Sequence, residues 1–251
     1  MHRLLLLDYG IGSYAVGMAS IVYMTGWLGN FAVPRSIDSA PAGPIGLALV
    51  INATVFALFC LQHSVMARPR FKQWWTQIIP KSAARSTYIL ISGVMLFVAM
   101  LCWQPMGMAV WHVESTPGRV ILYSLYGFGW IVLVSSTFAL NHFDLFGLRQ
   151  VWMASRNQPC GPLKFATPGP YRMVRHPLYV GWMTLVWATP TMSVAHLAFA
   201  VATTVYILLA IQIEERDLLA AHGTDYADYQ KSTPMLIPAL RRQNSIPAAR
   251  S

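Results

Sequence analysis

Long apolar runs separated by short polar connections dominate the pattern of the chain. They cover approximately residues 9–31, 44–66, 83–103, 117–140, 178–188 and 194–213. A helix needs about 20 predominantly apolar residues to cross a bilayer, and most of these runs are that long. The pattern therefore predicts an all-α fold, a polytopic membrane helix bundle of five to six transmembrane helices.

The fifth run is an exception because it is short. As a helix, 178–188 would cover only about half to two-thirds of a bilayer, and Pro190 should then end or kink it. The sixth run is long enough to span and leads directly into Glu214 and Glu215. We expect the two runs to form a C-terminal helical hairpin. The chain then has either six crossings, or four crossings and a hairpin that does not fully cross.

The composition excludes a soluble globular protein. Of 251 residues, 55% are hydrophobic and 11% are charged, and the mean hydropathy is +0.46. A soluble domain is about 25% charged, so this chain could not cover a globular surface. The net charge of +9 does not indicate a nucleic-acid partner, because the cations lie between the apolar runs, where membrane topology explains them. The expected surroundings are membrane lipids.

The cations cluster in alternate connections, which predicts the orientation through the positive-inside rule. The connections after the second and fourth runs and the tail are basic, whereas the intervening connections hold only Arg35 and Arg119. The basic set is Arg68, Arg70, Lys72, Lys81, Arg85, Arg149, Arg156, Lys164, Arg172, Arg175, Lys231, Arg241, Arg242 and Arg250. We expect a bacterial inner-membrane protein with both termini on the cytoplasmic side, and with the first run retained as a helix.

Ionisable side chains converge on that same face from four separate elements. They are His63, His142, Asp144, Arg175, His176, Glu214 and Glu215. Ionisable groups at membrane depth are costly and usually serve function. The sequence thus predicts an active site at the cytoplasmic ends of the helices.

The most specific motif is GPYRMVRHPLYVG at 169–181. It resembles the GPYxxxRHPxYxG motif of the isoprenylcysteine carboxyl methyltransferase and phospholipid methyltransferase superfamily, and the paired glutamates downstream fit the same resemblance, which covers roughly 160–240. The resemblance implies S-adenosyl-L-methionine as cofactor, in a cytoplasmic pocket enclosed by the last two helices and the C-terminal segment. We accordingly divide the chain into a transmembrane bundle on the substrate side, 1–140, and a cofactor-binding part, 141–251.

The chemistry of this cofactor suggests a role for each residue type in the motif. We expect it to be bound by Tyr171, Arg175, His176, Tyr179, Gly181, Glu214 and Glu215. Either glutamate can accept hydrogen bonds from the ammonium group or the ribose. The arginine can pair with the carboxylate through two parallel bonds. The histidine and Tyr171 can donate hydrogen bonds, Tyr179 can cover the ring, and the glycine permits a close approach.

Two further segments concern the methyl acceptor. LQHS at 61–64 and NHFDLFGLRQ at 141–150 resemble the methanethiol S-methyltransferase branch of the superfamily, which implies a small volatile thiol as substrate and dimethyl sulfide as product. Because the thiolate is the nucleophile, a base near the sulfur helps. We expect His142, assisted by Asp144, to be this base, with His63 as second choice. Arg149 either holds the thiolate or pairs with Asp144.

A small acceptor also needs only a small closed cavity. The bulky side chains of Phe143, Phe146 and Trp152 are expected to plug any opening wide enough for a lipid tail.

Three other functions remain open at this point. One is methylation of a lipid-like acceptor, either an isoprenoid carboxylate or a phospholipid amine. Another is the NADPH-dependent reduction that membrane sterol reductases carry out. The third is a non-catalytic membrane factor in nitrogen-oxide respiration, with His63, His142 and His176 as haem or copper ligands. No histidine pair has metal-ligand spacing and the three cysteines are far apart, so we expect no metal site. No obligate protein partner is evident.

Overall fold

A computed structural model describes residues 3–41, 43–161 and 163–238. The elements, in chain order, are α1 (Arg3–Gly29), α2 (Ile45–Ala67), α3 (Pro69–Trp75), α4 (Lys81–Cys102), β1 (Ala109–His112), α5 (Thr116–Ala139), α6 (His142–Leu145), α7 (Leu148–Ser155), a 3-10 turn (Gly169–Arg172), α8 (Pro177–Trp187), β2 (Thr191–Ser193), α9 (Val194–His222) and α10 (Thr224–Ser232). Within the described ranges, five helices are long and apolar enough to cross a membrane: α1, α2, α4, α5 and α9. The predicted all-α polytopic bundle is confirmed. Arg241, Arg242 and Arg250 lie outside the described residues.

Two helices are longer than the pattern predicts. Helix α1 begins at Arg3 rather than near residue 9, because the exposed Asp8 lies on its surface without interrupting it. Helix α9 continues through Glu214 and Glu215 to His222, about two and a half turns past the predicted end. Glutamate is a good helix former, so the end of an apolar run does not mark the end of the helix.

The bundle packs closely where glycines on facing helices meet. Helix α4 lies against α1, and a Cβ added to Gly93 would come within 3.0 Å of Gly17 Cα. Helix α5 lies against α8 in the same way, since a Cβ on Gly181 would meet Gly129 O and Leu133 Cβ, each at 2.9 Å. Small residues let membrane helices approach this closely. Gly181 is predicted to bind the cofactor, but in the structure it packs against α5.

A small antiparallel sheet closes one end of the bundle, a feature that the sequence pattern does not predict. Strand β1, between α4 and α5, pairs with β2, between α8 and α9. Helix α8 has only 11 residues, about 16 Å. The residues after it extend the chain to this end, where the Val113 backbone N–H donates to Pro190 O at 2.9 Å and Trp111 Nε1 donates to Thr189 O at 3.0 Å. The α8–α9 hairpin thus runs from one end of the bundle to the other.

A buried hydrogen bond between Asp38 and His196 fastens the α1–α2 connection to this sheet end. Asp38 Oδ2 lies 2.8 Å from His196 Nδ1, and Asp38 Oδ1 accepts from the Ser193 backbone N–H at 2.8 Å. Burial raises the pKa of Asp38, but its hydrogen bond and charge interaction with His196 and its bonds from Ser193 and Asn30 bring that pKa below the usual value. The loop is therefore held by a charged carboxylate.

Candidate active site

A cavity of about 1230 Å³ opens at the end of the bundle opposite the sheet and continues inward between the helices. Near α10 its wall is polar and includes Glu214, Tyr179 and His222. Towards the sheet end its wall is apolar and includes Trp27 and Phe199. The cavity therefore joins two environments of opposite polarity.

Glu215 is the centre of a hydrogen-bond cluster beside the polar end. Its Oε1 accepts from Arg175 Nε at 2.6 Å and lies 3.0 Å from His176 Nε2, and its Oε2 accepts from Gln230 Nε2 at 2.7 Å. The side chains of Arg175 and Glu215 are each only 11% exposed. Both oxygens of this carboxylate are consequently used by the protein itself.

Arg175 also fastens the C-terminal segment. Its Nη1 donates to Thr233 O at 2.6 Å and to Gln230 O at 3.0 Å, and its backbone N–H donates to Pro234 O at 2.8 Å. With Nε bound to Glu215, Nη2 is the only guanidinium nitrogen without a partner among the described residues. The predicted two-bond pairing of Arg175 with a cofactor carboxylate does not fit this arrangement, because the necessary pair of donors is already occupied.

Glu214, the neighbouring glutamate, faces the cavity. Tyr179 Oη donates to its Oε2 at 2.8 Å, and among the residues that the structure describes its Oε1 has no hydrogen-bond partner. The structure thus distinguishes two carboxylates that are adjacent in sequence. Glu215 organises the protein, whereas Glu214 is free to meet a ligand.

Aromatic side chains form the outer wall of the polar end. The ring of Phe165 lies 5.0 Å from that of His222, 6.0 Å from Tyr226 and 5.8 Å from Tyr229. Tyr229 also donates to the carbonyl oxygen of Tyr171, which joins α10 to the GPY turn. Phe165 was not a predicted site residue, because it lies in a connection with no apolar pattern.

His63, the second choice for the base, lines the middle of the cavity. Its Nε2 is 2.9 Å from Tyr88 Oη, and its ring stacks on Phe59 with centroids 5.4 Å apart. Arg85 lines the same region, with its guanidinium carbon 5.1 Å from the centre of the Tyr88 ring. Arg85 Nε donates to Leu145 O at 2.7 Å, and no described carboxylate forms an ion pair with it.

The sequence pattern predicts only a topology-setting role for Arg85. The overlooked signal is its position, one turn inside an apolar helix, where a charge without a partner is costly. Such a residue is a candidate to bind an anion.

His142, the first choice for the base, lies behind the cavity wall rather than in it. Its Nε2 is 2.8 Å from Tyr14 Oη and its Nδ1 is 2.9 Å from Thr137 Oγ1, and its ring stacks on Phe138 at 4.4 Å. The side chain is 8% exposed, and this burial lowers its pKa. Both ring nitrogens are occupied by hydroxyl groups of neighbouring helices.

The predicted pairing of His142 with Asp144 is wrong. Asp144 Oδ1 instead accepts from Arg149 Nη1 at 2.6 Å and from Gln150 Nε2 at 3.2 Å. Residues two apart on a helix are separated by about 200°, so positions 142 and 144 of α6 point in opposite directions. Of the two roles considered for Arg149, the structure shows the pairing with Asp144.

The expected plug is also largely absent. Phe143 is 52% exposed and Trp152 is 47% exposed, and neither lines the cavity. Phe146 alone of the three lines the cavity.

Comparison with known proteins gives the chain its family. The family model for phospholipid methyltransferases matches residues 119–224. Methanethiol S-methyltransferase from Crocosphaera subtropica is 47% identical, covering 97% of this chain and 96% of the relative. The enzyme of the same name from Mycobacterium tuberculosis is 46% identical over 95% and 98%. No solved structure matches significantly. Identity this high over nearly the whole length shows that the chain is a membrane methyltransferase and belongs to the methanethiol S-methyltransferase family.

Proposed function

We propose that this protein transfers a methyl group from S-adenosyl-L-methionine to methanethiol and so produces dimethyl sulfide. The observation that carries the proposal is the single cavity in which the free carboxylate of Glu214 and the pair His63 and Arg85 face a common space. The names of the relatives supply the acceptor, and the walls of the cavity supply groups suited to a cationic donor and an anionic nucleophile.

The residues of the polar end fit the donor by their chemistry. The free oxygen of Glu214 can accept from an ammonium group or a ribose hydroxyl, and Tyr179 holds that carboxylate in place. Phe165 and His222 offer flat surfaces for a purine ring. S-adenosyl-L-methionine supplies a methyl group on a sulfonium sulfur, which a thiolate can attack. Arg175 and His176 contribute indirectly, by fixing Glu215 and the C-terminal segment against α8 and α9.

His63 is the base in this proposal, in preference to His142, because only His63 lines the cavity. It can take the thiol proton if it is within hydrogen-bond reach of the sulfur. Arg85 then stabilises the thiolate, since it is a cation without a carboxylate partner in the described chain. His142 is a positioning residue that ties α6 to Tyr14 and Thr137.

The orientation also belongs to the proposal. Arg68, Lys72 and Arg85 lie at the end of the bundle where the cavity opens, and cations concentrate on the cytoplasmic side of membrane proteins. We infer that the site and both termini face the cytoplasm of a bacterial inner membrane.

The test uses the purified full-length protein in lipid nanodiscs with methyl-labelled S-adenosyl-L-methionine. We expect labelled dimethyl sulfide from methanethiol, and a loss of product in the His63→Ala variant that exceeds the loss in His142→Ala. Parallel reactions contain a prenylated cysteine or phosphatidylethanolamine. Methylation of either of these without methylation of methanethiol would overturn the proposal.

A further inference from the structure

The apolar end of the cavity has no role in binding either reactant proposed so far. Pockets that hold drug-sized ligands measure roughly 300–1,000 Å³, and S-adenosyl-L-methionine is a ligand of that size. The cavity measures about 1230 Å³, and methanethiol has only two heavy atoms. A reaction confined to the polar end would leave the apolar end without a ligand.

This end, which we call the apolar annex, is defined by six cavity-lining residues: Trp27, Phe56, Leu96, Ala99, Trp103 and Phe199. None of them is charged. The ring of Phe199 meets those of Trp27 and Trp103 edge to face at 5.4 Å each and that of Phe56 at 5.9 Å, so the wall is built of mutually packed aromatics. Such a wall favours a hydrocarbon ligand.

The annex continues directly from the reaction centre. Along α4, Ala99 lies seven residues beyond Ser92, which is beside His63. At 1.5 Å per residue this is about 10 Å. Phe56 lies seven residues before His63 on α2, which gives the same depth. A thiol whose sulfur is at His63 can therefore extend a linear chain of about this length into the annex.

We infer that the protein also methylates longer linear alkanethiols, whose hydrocarbon chains occupy the apolar annex. The inference rests on the proposed function and extends its substrate class. The thiol S–H bond gives its proton to the base, and the sulfur electron pair forms a new bond to the methyl carbon. The bond between that carbon and the donor sulfur breaks and leaves its pair on the donor. The products are an alkyl methyl sulfide, S-adenosylhomocysteine and a proton.

The experiment compares kcat/KM for methanethiol, butanethiol and octanethiol in nanodiscs of one lipid composition. Longer thiols partition into lipid, which alone raises their apparent kcat/KM, so the chain-length trend of the wild type decides nothing. The deciding variant is Ala99→Phe, which fills the annex. Its matched control is Val98→Phe, because Val98 is 42% exposed and points away from the cavity. Partitioning affects all three proteins equally.

We expect the octanethiol-to-methanethiol ratio of kcat/KM to fall in Ala99→Phe and to keep its wild-type value in Val98→Phe. Each buried methylene strengthens apolar binding by about fourfold, so exclusion of two methylenes predicts a fall of about 15-fold. A thermal-shift assay of S-adenosylhomocysteine binding shows that each variant is folded. If Ala99→Phe does not fold, Ala99→Leu takes its place, with a smaller fall expected.

The outcomes separate this inference from the proposed function. Methylation of methanethiol without methylation of octanethiol would overturn the inference alone, as would an equal ratio in Ala99→Phe and Val98→Phe. Failure to methylate methanethiol, with octanethiol methylated, would overturn the proposed substrate and support the annex. Failure with every thiol would overturn both.

Discussion

Removing the charge from each of the two adjacent glutamates should have opposite consequences. In Glu215→Gln the buried Arg175 guanidinium loses its counter-charge, while Gln230 can turn its amide to restore a hydrogen bond. A hydrogen bond to a charged group contributes about 1.5–3 kcal/mol net, against about 0.5–1.5 kcal/mol for a neutral one. We therefore expect unfolding to become easier by about 1–2 kcal/mol. For a chain of this size that lowers Tm by about 2–8 °C.

Glu214→Gln is the matched comparison, one residue away and identical in chemistry. In the described chain Glu214 accepts only from Tyr179, and it faces the cavity, so its charge matters little for folding. If it binds a cationic or hydroxyl group of the donor, losing a charged hydrogen bond of about 1.5–3 kcal/mol weakens donor affinity about 10- to 150-fold. Tm should change by less than in Glu215→Gln.

The assays are thermal unfolding in nanodiscs and equilibrium binding of S-adenosylhomocysteine, both on the same preparations. The reasoning predicts a crossed result, in which one variant loses stability and the other loses affinity. If Glu214→Gln lowers Tm more than Glu215→Gln, or if Glu215→Gln alone loses donor affinity at a temperature where it is folded, the division of roles between the two carboxylates is refuted.

Three further predictions follow from single contacts. His63→Ala should lower kcat about 10²- to 10⁴-fold, as the loss of a general base does, whereas His142→Ala should mainly lower Tm. Stopped-flow kinetics and thermal unfolding measure the two effects. The reverse result would restore His142 as the base. Gly181→Ala should destabilise by about 1–3 kcal/mol, because its Cβ would overlap α5, and donor affinity of the folded fraction should not change. The lowered pKa of Asp38 gives stability that is complete above the unfolded-state pKa of about 3.9 and is lost as pH falls through the folded value. We expect the Tm of Asp38→Asn, measured as a function of pH, to fall less at acid pH than the Tm of the wild type.

The helical bundle could be predicted because its cause is local in sequence. The length of each long apolar run matches the thickness of the bilayer. The observed helices α2, α4 and α5 begin and end within about two residues of the predicted runs. The β1–β2 sheet could not be predicted, because strands of four and three residues carry no periodic signal and pair across 79 or more residues of sequence. Only the packed structure brings them together.

The candidate site shows the same division between local and long-range information. The motif predicts that α8 and α9 carry the site, but it does not indicate which of Glu214 and Glu215 is bound by other residues of the protein. That depends on Arg175, which meets Glu215 where α8 and α9 pack side by side, and on Gln230, which meets it where α10 folds back. The surroundings of His142 could not be predicted for a related reason, since the hydroxyl groups that occupy its ring nitrogens come from α1 and α5.

Two of the charges that the fold leaves uncompensated are opposite in sign to the charges of the proposed reactants. Glu215 is neutralised by its neighbours, whereas Glu214 and Arg85 both line the cavity without a described partner of opposite charge. An anion at one position suits a cationic donor, and a cation at the other suits a thiolate. Methyl transfer removes both charges on sulfur, so a site that binds the two ions strongly also lowers the energy of the ground state and gains no rate from it. Acceleration must then come from the remainder of the wall, which is apolar and replaces the water around the thiolate. On this argument the apolar lining near His63 contributes to the rate directly, in addition to any role in choosing the thiol.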